Sequence, residues 1–399
     1  MSFPTPVLLG ADLNCYQLAR LLHEDYGVSS HAFGRYALSE TGHSRILHFR
    51  AIPNLWEEDV LLSVLRAFSK THKDALLFGC TDAYVRMIVK HRDELASCFR
   101  IPYGDMGFFT LASDKRAFGD LLAAQGIPTP KTTVLDVDTD LSRLSFPQVL
   151  KPAISSEYYA HPFIGMKKAY LVQDTSEAQA LYTTIRAAGY KGAILLQDYI
   201  PGEDTAMYVA NGYVDRDGNL RQLAIGHVLL QWHTPNGIGN PCAILTERFP
   251  ALEALAARVA KVAQVRGLFN LDIRYDKRDN TYKVLECNPR QGRSAYSTQV
   301  AGLSPIRSVV DELVFDRPYT ETRFPTTVGY WHSVPDRIVK RHLAPPLQRA
   351  IRHAGKRGET LRYRFDLKRN YKRKGSLLLR NLSHLRKFYM YDKNRSASL

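Results

Sequence analysis

Residues 283–296, KVLECNPRQGRSAY, decide how the rest of the chain is read. A hydrophobic strand runs into Glu286-x-Asn288, followed by Pro289-Arg290 and Gly292. Side chains alternate along a strand, so Val284, Glu286 and Asn288 are expected on one face. Upstream, GLFNLDIRYDKRDNTYKVLECN (267–288) reads as a β-hairpin turning near Lys277–Asn280. A pivot near residue 279 sets Asp272 opposite Glu286, and Asn270, Asp272 and Arg274 share a face because they alternate with Leu271, Ile273 and Tyr275. Directly paired Cβ atoms lie only ~4.5–5.5 Å apart. Two carboxylates that close repel each other unless a cation sits between them. Hard divalent ions such as Mg²⁺ take oxygen ligands, which Asp272, Glu286 and Asn288 supply. A solvated polar hairpin face fits the same pattern, and spacing alone leaves both readings open.

Outward from the hairpin, the chain alternates strands and helices. PVLLGADLNCYQLARLLHEDYG (6–27) reads as a buried strand, a Gly10 turn and a helix with Leu18, Leu21 and Leu22 on one side. ALLFGCTDAYVRMIVKHRDEL (75–95) repeats the pattern, so residues 1–112 are expected to form an open α/β domain. Gly10 by itself reads as a strand-to-helix turn rather than a nucleotide signature. Ser113 or Asp114 caps the next helix, which Gly126, Pro128 and Pro130 terminate. FPQVLKPA (146–153), KAYLV (168–172) and AILLQD (193–198) read as strands, with a helix around 176–188. Asp217-Gly218 turns a hairpin into LRQLAIGHVLLQW (220–232), and a helix is expected over 251–266.

With Asp272, Glu286 and Asn288 as its centre, the region from about residue 75 to about 315 resembles the ATP-grasp superfamily of carboxylate–amine and carboxylate–thiol ligases. The resemblance implies an α/β chain, α+β in its catalytic part, with an open α/β domain ahead of the grasp fold and a basic extension behind it. The divisions expected are 1–112, 113–190, 191–325 and 326–399, the last largely helical. It also implies ATP and two Mg²⁺ ions, with Mn²⁺ as a substitute, the metals held by Asp272, Glu286 and Asn288. Lys115, at the start of a helix, and Lys151, in a Lys-Pro strand end, match the family's two phosphate-binding lysines, a task suited to a compact ammonium. LLQDYIPGED (195–204) resembles the adenine hinge, with Gln197 on the adenine amine, backbone at Asp198 and Ile200 on the ring edge, and Glu203 or Asp204 on the ribose. Arg290 is the first candidate to stabilise the transferring phosphoryl group, with Arg274 and Arg293 behind it. There are two departures. The phosphate loop, AISSEYYAHPFIGMKK (153–168), has Gly165 alone, so Ser155 and Ser156 are assigned its donors; and Gln197 stands where glutamate is usual.

The N-terminal segment, the long loop and the basic aromatic C-terminus together look like D-aspartate ligases of Gram-positive bacteria. That resemblance implies D-aspartate as carboxylate donor and a nucleotide- or lipid-linked muropeptide as amine acceptor. An L-amino-acid or dipeptide ligase, a biotin-dependent carboxylase served by a separate carrier, and a non-catalytic ATP-binding scaffold are the competing classes.

Composition narrows the setting. The 399 residues fit two or three domains, and no apolar run reaches the ~18–20 residues of a membrane span. Five scattered cysteines without a CxxC pair argue against a disulfide framework or thiolate zinc site, and the N-terminus lacks a signal-peptide pattern. A cytoplasmic setting is expected, with association at the inner membrane face allowed. From Trp331 to Leu399 there are 19 Lys and Arg against 4 Asp and Glu, so the whole net charge of +15 lies there. Residues 376–391 place Leu377, Leu378, Leu382, Leu385 and Phe388 at near-helical spacing. That helix packs on the body with its cations in water, or meets the precursor or an anionic membrane. Nucleic acid is a poor fit without a recognisable binding module.

Overall fold

The computed structural model describes residues 3–234, 237–317 and 319–392. The first sheet is parallel: β1 (Pro6–Leu9), β2 (Ser30–Gly34), β3 (Leu47–Ala51), β4 (Ala75–Gly79) and β5 (Phe99–Arg100), in the order β3-β2-β1-β4-β5. Its strand order reverses between β1 and β4, where open parallel sheets leave a crevice at their carboxyl ends. Gly10 closes β1 at φ +151°, and a Cβ there would meet the Cys80 Cβ at 2.6 Å, so the turn needs glycine. The helix Leu13–Tyr26 then buries Asn14 and Gln17 as well as its leucines. These amides are satisfied across the interface: Asn14 donates to the Cys80 carbonyl at 2.9 Å, and Gln17 to the Gly292 carbonyl at 2.8 Å.

The second sheet is antiparallel: β6 (Thr132–Leu135), β7 (Gln148–Pro152), β8 (Tyr170–Val172) and β9 (Ile194–Asp198), in the order β6-β9-β7-β8. The helix Thr175–Ala187 covers one face, packing Ala178, Tyr182 and Ile185 on Leu135, Leu150 and Val172. Alternation turns Val149 and Lys151 to the other face. β9 lies past the division expected at residue 190 yet pairs with β6 and β7, so this sheet runs on to Asp198.

The third sheet holds β10 (Met207–Val214), β11 (Leu220–Gln231), β12 (Pro241–Glu247), β13 (Gly267–Asp276), β14 (Thr281–Asn288), β15 (Gly329–His332) and β16 (Lys356–Glu359). Its order is β14-β13-β10-β11-β12-β15-β16, antiparallel except for the last pair. The helices Met106–Ser113, Lys115–Ala124 and Pro250–Val262 pack on one face against Leu271, Ile273, Val284 and Cys287. The last of these helices stops four residues short of the expected end at 266. β15 and β16 show that residues beyond 326 do not merely follow the sheet; they extend it.

The final helix, Tyr371–Tyr391, buries Arg373, Leu377, Arg380, His384 and Phe388. Of the expected stripe, Leu377 and Phe388 are buried and Leu385 packs on the core, whereas Leu378 is 61% exposed and Leu382 53%. Two arginines take the inward positions because carboxylates await them, one buried and one largely so: Arg373 pairs with Asp366 at 2.6 Å, and Arg380 with Glu40 at 3.0 Å. Breaking one partner of such a pair strands a buried charge, which fixes the helix rotation.

Candidate active site

The hairpin β13–β14 sets the centre. Asp272 pairs with Glu286 and Asn270 with Asn288, but nearer the turn Ile273 pairs with Val284 and Arg274 with Lys283. The register therefore shifts between Asp272 and Ile273, and β14 carries one extra residue, Leu285, as a bulge. This corrects the expectation that Val284 shares a face with Glu286. Val284 and Cys287 both sit in the helix-covered core, whereas Leu285 and Glu286 line the opposite cleft. Without the bulge, Asp272 would face Leu285 and the carboxylates would be out of step.

Two clefts meet at Glu286. The first, about 970 Å³ and open to solvent, lies between the second and third sheets. Lys151, Gln197, Ile200, Met207, Asp272 and Leu285 are among its walls. The second, about 820 Å³, is bounded by Asp82, Arg86, Ser155, Ser156, Asn288 and Arg290. Lys115, Lys168 and Glu286 line both.

Charge is balanced tightly at this junction. Lys115 Nζ lies 3.7 Å from Glu286 Oε2 and donates to Ser155 Oγ at 3.0 Å. Lys168 Nζ lies 3.6 Å from Glu286 Oε1. The Lys168 ammonium, followed by Lys115 and Lys151, holds the Glu286 carboxyl well below its usual range, against the effect of burial. Burial and then the neighbouring Glu286 push the Asp272 carboxyl far up. A pair of facing carboxylates that cannot both ionise comfortably is the signature of a site completed by a cation. Asn288 donates through Nδ2 to Asn270 Oδ1 at 3.2 Å, which turns its acceptor oxygen the other way. The donor set is all oxygen and suits Mg²⁺.

Lys151 is buried, and loss of water pushes its ammonium down to about 8. It donates to Gln197 Oε1 at 2.9 Å, while Gln197 Nε2 donates to Thr132 Oγ1 at 3.0 Å. The side chain assigned to an adenine amine is thus already engaged with the protein, and being neutral it leaves Glu286 as the main counter-charge to the lysine. Asp198 and Ile200 line the first cleft; the Asp198 N–H is spent on the Lys131 carbonyl at 2.9 Å, so a ring-edge contact there falls to its carbonyl. Asp204 departs from the expectation of a ribose contact. It is buried, lines neither cleft, and accepts from the Gln231 N–H at 2.9 Å with His233 at 3.1 Å on the same oxygen. Glu203 is exposed and remains the ribose candidate of the two.

The three arginines part company. Arg290 lines the second cleft and grips Asp82 with Nε at 2.6 Å and Nη2 at 3.1 Å. Arg274 lines the first, donating to the Gly202 carbonyl at 2.7 Å, and so belongs to the hinge side. Arg293 lines neither; it lies 3.5 Å from Asp12 at the mouth of β1. Asp12 and Asp82 follow β1 and β4, so the crevice of the parallel sheet receives the NPRQGR segment. Lys168, Asp82 and Arg86 are absent from the sequence-derived set. A lysine just before a strand and an acid after a parallel strand at a switch point were the available signals for the first two; Arg86 gave none.

Paired carboxylates on adjacent antiparallel strands, a lysine-lined cleft between two sheets and a parallel domain closing the far side define an ATP-grasp enzyme, an ATP-dependent ligase that forms C–N bonds. The fold is shared with an L-amino acid ligase from Bacillus licheniformis, at TM-score 0.56 and 15% identity over 78% of this chain and 75% of that one. It is shared too with the biotin carboxylase domain of Hydrogenobacter thermophilus 2-oxoglutarate carboxylase, solved with MgADP and bicarbonate, at TM-score 0.60 and 12% identity over 81% and 72%. No protein-family model matches the chain. A D-aspartate ligase from Enterococcus faecium is 34% identical over 349 residues, covering 84% of this chain and 83% of its relative. The chain belongs to the D-aspartate ligase family.

Proposed function

We propose that the protein activates the β-carboxylate of D-aspartate with ATP and joins it to the side-chain amine of a peptidoglycan-precursor peptide. The observation that carries this reading is the junction at Glu286, where an apolar-walled nucleotide cleft opens onto a second, polar cleft through shared lysines. In the first cleft Ile200, Met207 and Leu285 sandwich the adenine, and Lys115 and Lys151 hold the α- and β-phosphates. Mg²⁺, held by Asp272, Glu286 and Asn288, would neutralise the β- and γ-oxygens when bound.

The donor lies in the second cleft. Its carboxylate oxygen attacks the γ-phosphorus, the bond to the β–γ bridging oxygen breaks, and ADP leaves with that electron pair. The resulting acyl phosphate has a good leaving group; the amine attacks its carbonyl, loses a proton, and expels phosphate. The chain's work is positioning and charge. Arg290, fixed by Asp82, faces the transferring group, and Arg86 offers a cation to the donor's second carboxylate. Lys168 and the Ser155–Tyr158 turn roof the junction and limit water, which would hydrolyse the intermediate.

The final helix suits a precursor held at a membrane. It exposes Leu378, Leu379, Leu382, Tyr389 and Met390 beside exposed Lys372, Lys374, Arg386 and Lys387. No helix among the described residues is long and apolar enough to cross a membrane, so contact would be peripheral.

The test is hydroxylamine trapping with ATP and Mg²⁺. Hydroxamate and ADP formed with D-aspartate but not L-aspartate support the assignment. Product with another acid keeps the ligase chemistry and discards the donor.

A further inference from the structure

Away from both clefts, the end of the last helix meets the end of β11 at a cluster of two histidines and a carboxylate. We propose that His233, His342 and Asp392 form a binding site for a zinc-class divalent ion that staples the C-terminal helix to the wall of the nucleotide cleft. Their ligand atoms all lie within 4.8 Å of one another. His233 and His342 are 2% and 8% exposed, and the rings lie 5.6 Å apart at 71° with Phe388 packed on both.

The hydrogen-bond partners of each ring place one of its protons. His233 Nε2 lies 3.1 Å from Asp204 Oδ2, and a carboxylate only accepts, so the proton sits on Nε2. That leaves the Nδ1 lone pair, which is buried without a hydrogen-bond partner and lies 3.9 Å from Asp392 Oδ1. His342 Nδ1 lies 2.7 Å from the Ile338 carbonyl, which again only accepts, so Nδ1 carries the hydrogen and Nε2 faces Asp392 Oδ1 at 2.6 Å. The Nε2–Oδ1 pair is a hydrogen bond with one proton between the two atoms, and a divalent cation bound there would take that proton's place.

Both rings also carry the support that metal-binding histidines show, one ring N–H given to a carboxylate and the other to a backbone carbonyl. This accounts for Asp204, which the ATP site does not use. Arg341 lies 3.7 Å from Asp392 Oδ2, the oxygen turned away from the histidines, and so orients the carboxylate. Two nitrogens and one oxygen favour Zn²⁺ over the hard ions of the catalytic hairpin. Ligands about 2.0 Å from a tetrahedral zinc stand about 3.3 Å apart. The 2.6 and 3.9 Å separations therefore reach that geometry by moving about 0.6 Å each, in opposite senses. Asp392 is 27% exposed, which leaves a side for water as fourth ligand. The strap matters because Ile238 and Gly239, five and six residues after His233, line the wall of the cleft.

The experiment uses the full-length protein, stripped with chelator and reloaded with Zn²⁺ or Co²⁺. One zinc per chain by elemental analysis, a higher thermal midpoint when loaded, and the strong visible bands of four- or five-coordinate Co²⁺ are expected. The Asp272–Glu286 hairpin offers only oxygen and gives Co²⁺ a weak spectrum, so the two sites are distinguishable. Asp392→Asn, at a partly exposed helix end, should weaken Co²⁺ binding at least about tenfold, and His233→Gln should abolish the bands. Wild-type protein that retains no zinc after reloading overturns the proposal. So do strong bands that survive unchanged in either variant.

Discussion

Glu286→Gln tests the charge balance at the junction directly. In the nucleotide-free protein Glu286 neutralises Lys115 and Lys168. The Lys168 side chain is 47% exposed and screened by water, so the Lys115 pair, 12% and 18% exposed, dominates. At an effective dielectric constant of ~20, unit charges 3.7 Å apart attract by ~4.5 kcal/mol gross. Desolvation of two largely buried ions takes back roughly half, leaving about 2 kcal/mol that Lys115 surrenders when it turns to a phosphate. Glutamine removes that competitor. In EDTA, metal-free ADP should therefore bind Glu286→Gln about thirtyfold more tightly than wild type, the equivalent of about 2 kcal/mol. With Mg²⁺ the order should invert, because the variant lacks a carboxylate for the metal, and turnover should be lost. Titration calorimetry in the two buffers reads both. Equal affinities in EDTA would refute the assignment of Lys115 to Glu286, and equal affinities in Mg²⁺ would refute the metal role.

Four further outcomes are expected. Because the buried Lys151 ammonium loses its proton as pH rises through about 8, nucleotide affinity should be full below that value and fall about tenfold per pH unit above it; Lys151→Arg should flatten the profile. Arg290→Lys, which cannot keep the two-point grip on Asp82, should lower kcat about a hundredfold with little change in KM for ATP, measured by ADP release. Arg86→Ala should raise KM for the donor acid about tenfold and leave KM for ATP unchanged, because Arg86 lines the second cleft alone. Leu378→Asp with Leu382→Asp should cut sedimentation with phosphatidylglycerol vesicles at least about tenfold while hydroxamate formation persists.

The sequence by itself determined what local rules govern. Apolar runs bounded by glycine and proline located β1, β4, β7 and the hairpin, because burial and turn chemistry act over a few residues. Asp114 was legible as a cap because its carboxylate accepts from the N–H groups two and three residues on, at 2.9 and 3.1 Å. The order of the lysines, the hinge and Glu286-x-Asn288 was legible because motif spacing is a property of the chain. Tertiary structure decided the rest. The bulge at Leu285 has no sequence mark, yet it alone brings Glu286 into step with Asp272 while Val284 turns to the core. Asp204 was indistinguishable from Glu203 until His233, 29 residues on, claimed its carboxylate. The final helix turned Arg380 inward beside Leu377 and Phe388 because Glu40, 340 residues away in the chain, meets it there. Burial energy is read from neighbours in sequence only when they are also neighbours in space, and at these three places they are not.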